Sequence, residues 1–122
     1  MAMIVKSINE VRVFTAGDRT QIREVLHPKN DKIDLPYSLA KASLEKGQQS
    51  DPHILGASSE LYIIEKGCGR AFVGDQVVDV KPGDIVLIPA GVRQYIQNLG
   101  EERLEFLCVV APPWSKEDEV IL

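Results

Sequence analysis

No apolar run in this chain is long enough to cross a bilayer. The longest, such as residues 106–111, are strand-sized, against the ~20 consecutive apolar residues that a spanning helix needs. The opening Met1-Ala2-Met3-Ile4-Val5-Lys6 lacks the basic start and long apolar core of a secretory signal, so a cytoplasmic protein is expected. Cysteine is scarce: Cys68 and Cys108 are the only two, with no C-x-x-C spacing. That argues against a disulfide framework or a thiol redox motif, and free buried thiols are expected. Lys and Arg number 14 against 18 Asp and Glu, a net charge of −4, and no basic block stands out. A nucleic-acid partner is therefore not expected. There is no G-x-S-x-G elbow, no glycine-rich phosphate loop and no Cys/His pairing at a recognised spacing. Metal Lewis-acid chemistry and general acid–base chemistry are the catalytic routes left open.

What is present is a series of short strands punctuated by turn residues. Alternation and turn signals predict strands over residues 21–26, 37–44, 60–65, 71–73, 76–80, 84–88, 92–98 and 103–110. His27-Pro28-Lys29-Asn30-Asp31 ends the first, because proline removes a ladder donor and the polar residues favour a turn. Gly74-Asp75 reads as a two-residue hairpin link, and Lys81-Pro82-Gly83-Asp84 as a type II turn. Side chains alternate along a strand, so Glu60, Tyr62 and Ile64 share a face, as do Val92, Gln94, Ile96 and Asn98. A carboxylate in such company is ligating, paired or at a rim. The Pro112-Pro113-Trp114 tail reads as a surface strap, with Trp114 over a barrel edge or a neighbouring subunit. So many strand edges in 122 residues call for closure or double-layer packing, an all-β sandwich or barrel.

Two glycine-framed segments sharpen this. In the first, Gly47 is followed after five residues by His53, then Glu60 and Gly67; in the second, Gly83 is followed after five residues by Pro89-Ala90-Gly91, then Gln94 and Asn98. The pair resembles the two-part signature of the cupin family, G-x5-H-x-H-x3/4-E-x6-G and G-x5-P-x-G-x2-H-x3-N. Leu55 stands at the second histidine and Gln94 at the third. The resemblance implies a double-stranded β-helix, or jelly roll. It covers about residues 37–111 of a single domain spanning 1–122, with an N-terminal strand at about 20–27 and a strap over 112–122.

The resemblance further implies a divalent transition metal (Mn, Fe, Ni or Zn) held by His53, Glu60 and Gln94. Leu55 cannot ligate, so such a site would be thin, and a Gln carbonyl is a weak, neutral donor. His27 is a candidate fourth donor, though a turn histidine is the plainer reading. Gln94 leaves three roles open: metal ligand, substrate contact, or hydrogen-bond partner of Glu60 in a metal-free barrel. Glu60 is the candidate proton-moving catalytic residue, with Tyr62, Gln94 and Arg93 as pocket residues and Arg23 and Tyr37 as further wall candidates. Two functions follow: a metal-dependent enzyme on a small polar or carboxylated metabolite, with isomerase, dioxygenase or decarboxylase-like chemistry, or a non-catalytic binding module for such a molecule. A homodimer is expected, since one sheet's outer face and the N-terminal strand remain available for association.

Overall fold

The computed structural model describes residues 3–122. Its strands are β1 (Val13–Thr15), β2 (Gln21–Leu26), β3 (Ser38–Leu44), β4 (His53–Leu55), β5 (Ser59–Lys66), β6 (Gly69–Val73), β7 (Gln76–Val80), β8 (Ile85–Ile88), β9 (Gln94–Asn98), β10 (Leu104–Ala111) and β11 (Glu119–Ile121). They form two facing antiparallel sheets, ordered β1-β2-β3-β10-β5-β8 and β11-β4-β9-β6-β7. This is the jelly-roll arrangement, although among the described residues no hydrogen-bonded seam closes the two sheets into a ring. No helix among the described residues is long and apolar enough to cross a membrane.

The eight predicted strands are present, most within a residue or two of their expected ends. Three further strands, β1, β4 and β11, are only three residues long and carry no alternation that a sequence window resolves. β11 revises the reading of the strap: residues 119–121 pair with β4, with Ile121 opposite His53. Asp118 clamps the loop before β5, accepting from the Ala57 and Ser58 amides at 2.7 and 3.2 Å. Trp114 accordingly packs on its own chain. Residues 28–31 form one helical turn, with His27 as its N-cap and Lys32 left-handed at its end. Cys108 is buried as expected, whereas Cys68 is exposed, because it sits at the bend between β5 and β6.

The interior is filled from one end. Leu44, Ile64, Val80, Leu104 and Phe106 are buried in one apolar cluster with Ile88 and Ile96. Gly67 makes this packing possible beside the start of β10. It sits at φ +83°, and a Cβ there would lie 2.7 Å from the Arg103 carbonyl oxygen. Only glycine meets both constraints. Toward the other end the inward residues of β3 shrink from Leu44 to Ala42, Ala40 and Ser38. The small side chains leave space that the opposing sheet does not fill.

Candidate functional site

That space is a cavity of about 180 Å³. β5 contributes Glu60 and Tyr62, β10 contributes Phe106, Cys108 and Val110, and β4 contributes His53. Register brings these together: Tyr62 lies opposite Cys108, Glu60 opposite Val110, and His53 opposite Gln94 across the β4–β9 pair. The roof comes from the first and last parts of the chain, the β1–β2 turn with Gly17 and Asp18, and the tail with Trp114 and Glu119. Ser58 Oγ holds the tail down by donating to the Pro112 carbonyl at 2.8 Å.

His53 is 3% exposed. Its Nδ1 donates to the Asp51 carbonyl at 2.8 Å, which fixes the tautomer, and the Asp18 carboxylate stands 3.8 Å from the same nitrogen. The ring lines the cavity. Held this way, the ring turns Nε2 rather than Nδ1 toward the cavity.

Tyr62 donates its hydroxyl to Gln94 Oε1 in a short bond. The Gln94 amide and the Cys108 thiol lie against Glu60. The Gln94 oxygen is thus taken by Tyr62, with its side chain beside Glu60. Burial drives the Glu60 carboxyl up to about 7, against the pull of His53 and contacts from Gln94 and Cys108, with the charge of Asp18 adding to the rise. Burial likewise pushes the Tyr62 phenol and the Cys108 thiol well above their ordinary values, with the Glu60 charge adding to both. Both are proton-bearing at neutral pH, and Glu60 is the group that titrates there.

Other sequence candidates lie elsewhere. His27 is outside the cavity: Nδ1 accepts from the Lys29 amide at 3.1 Å, and Nε2 is 2.8 Å from the Trp114 carbonyl oxygen. Both nitrogens are used in joining the helical turn to the tail. Arg93 is exposed on the outward face of its strand, its guanidinium 5.3 Å from the centre of the Tyr95 ring. A residue next to Gln94 points the opposite way, which is the alternation rule applied one position further. Arg23 donates to the Asn9 and Val11 carbonyls, and Tyr37 does not line the cavity. Asp18, Cys108, Trp114 and Glu119 were given no site role in the sequence reading. Cys108 was legible as an inward residue of β10, but nothing local marks the others.

The donor set is a poor fit to a transition metal. Among the described residues no group of three or more His, Cys, Asp or Glu side chains is arranged to hold an ion. Leu55 is buried on the same side of β4 as His53, where a nitrogen donor would be needed. The Gln94 oxygen already accepts from Tyr62.

A sequence profile of the cupin domain matches residues 40–110. An uncharacterised protein of Methanocaldococcus jannaschii is 34% identical over 122 residues, all of this chain and 97% of that protein. The fold is similar to a predicted oxalate decarboxylase from Thermotoga maritima, with TM-score 0.80 and 22% identity over 89% of this chain and 99% of that one. It is similar also to the Streptomyces nucleoside dehydratase Pac13, with TM-score 0.80 and 17% identity over 99% and 92% of the two chains. At these identities the two structures speak for the fold alone.

Proposed function

The chain belongs to the cupin family, and on that premise we propose that it binds a small polar metabolite in the barrel and moves a proton on it with Glu60. No step is routed through the Mn, Fe, Ni or Zn ion that the ligand positions implied. The carrying observation is Glu60 itself, a carboxyl 9% exposed and poised near 7 at the wall of a cavity. A group with its midpoint near the working pH is present in both forms and can give or take a proton. His53 Nε2 accepts from the bound molecule, while the Tyr62–Gln94 bridge keeps the Glu60 side chain in place. The small walls at Ala40 and Ala42 supply the room.

The test joins metal analysis to a binding screen. Protein purified without chelators or metal-capturing tags should carry well under one transition metal per chain, and stoichiometric metal would defeat the metal-independent reading. A screen of small polar metabolites by NMR should shift His53, Tyr62 and Trp114 signals together. If no compound does so, the pocket is not a binding site.

The expected homodimer stands as part of the same proposal. Leu61, Ile63, Leu107 and Val109 form outward cross-strand rows with Ile85 and Leu87, which are 63% and 65% exposed. Such a face suits an isologous pairing. Light scattering at tens of micromolar should give twice 13.5 kDa, and a monomer mass would reject it.

A further inference from the structure

The cavity has a one-sided charge. Among the described residues, four carboxyl side chains line it, Asp18, Glu24, Glu60 and Glu119, and no lysine or arginine does. The nearby cations are committed elsewhere. Arg19 is bound to Asp51, Lys6 to Asp31 and the Val25 carbonyl, Lys41 to Glu105, and Arg23 to backbone carbonyls. Much of the rest of the lining is apolar, with the aromatic rings of Phe14, Tyr62, Phe106 and Trp114 around it. His53 lines the same space with a side chain that is almost wholly buried, its Nδ1 held by the Asp51 carbonyl.

An anionic ligand entering this space would bring a further negative charge among carboxylates with no counter-ion, which is the costly case of an unpaired buried charge. A cation meets the opposite situation. Its N–H groups find carboxylate oxygens, and its charge lies against aromatic faces that attract it. Resting on the proposal that the cavity is a metabolite site, we infer that its ligand is a small organic ammonium compound, and that carboxylated and phosphorylated metabolites are excluded. A primary ammonium group suits the site because it donates three hydrogen bonds. The volume of about 180 Å³ limits the ligand to a small molecule.

Three probes with one carbon skeleton separate charge from shape: isoamylammonium, isoamyl alcohol and isovalerate. Their affinities for the full chain are measured at neutral pH by NMR titration of the His53, Tyr62 and Trp114 signals. The ammonium should bind about tenfold more tightly than the alcohol or better, and isovalerate most weakly. Raising the salt should weaken the ammonium alone. Glu24→Gln and Glu119→Gln should each weaken the ammonium several-fold and leave the alcohol unchanged. Isovalerate binding as well as the ammonium would overturn the charge inference while leaving the metabolite-site proposal intact. Failure of all three probes to shift these signals would overturn both. The ranking needs only the unaltered protein, so poor folding of a variant would not obscure it.

Discussion

Along β5 the inward side chains pass from Glu60 through Tyr62 to Ile64, and along β3 from Ser38 through Ala40 and Ala42 to Leu44. The same strands thus build two different interiors. One end is filled with large apolar groups and behaves as an ordinary core. The other is hollow, lined by Asp18, His53, Glu60 and Cys108, and carries a carboxyl whose burial is unfavourable to its charge. Stability and binding capacity are divided between the ends of one short barrel, and a shift of two residues along a strand crosses from one to the other.

The largest effect that breaks this division belongs to the filled end. Ile64→Ala removes a fully buried side chain and should cost roughly 4 kcal/mol in urea unfolding. Ligand binding should survive in whatever fraction remains folded, since Ile64 does not line the cavity.

The hollow end shows its cost in a pH series. The folded Glu60 carboxyl titrates at about 7 and an exposed one at 4.5. Between those values the unfolded chain loses its proton first, so the folded state binds more protons and stability falls as pH rises, levelling off above 7. The loss is on the order of 3 kcal/mol for a group this well buried. Asp18, His53, Tyr62 and Cys108 face the same carboxyl, so the midpoint reports the cluster. Glu60→Gln should flatten the curve and raise the melting temperature at pH 8. An unchanged slope would place Glu60 in contact with water.

Filling the void sharpens the contrast. Ala40→Leu should change stability by less than about 1.5 kcal/mol while removing ligand binding, because it occupies existing space. Loss of both together would mean that the cavity is too rigid to accept the side chain. Smallest of all is Arg93→Ala. An exposed guanidinium over Tyr95 should be worth under about 0.5–1 kcal/mol, with no effect on binding.

The walls of the barrel were legible in the sequence. Their strands are long enough for alternation to declare itself, and the glycine-framed segments point to His53, Glu60 and Gln94 as residues of one interior. The roof was not legible. Asp18, Trp114 and Glu119 come from a turn and a tail with no periodic pattern, and they meet the site only through pairings such as β11 with β4. Arg93 was misplaced for a simpler reason, adjacency in sequence to Gln94, which in a strand means opposite faces. His27 was drawn in as the only spare imidazole, whereas one of its nitrogens caps the helical turn and the other binds the backbone of the tail.

The roof also sets a timescale. β1 and β11 are three residues each, largely exposed, and each lies at the edge of its sheet. Segments of this kind open locally at a small fraction of the free energy needed to unfold the whole domain. Amide protons in β1 and β11 should therefore exchange orders of magnitude faster than those in β5 and β10, and a captured molecule should leave at the fraying rate of the roof. Residence time and melting temperature then become independent properties, the first adjustable at Gly17 or Glu119 without disturbing the second.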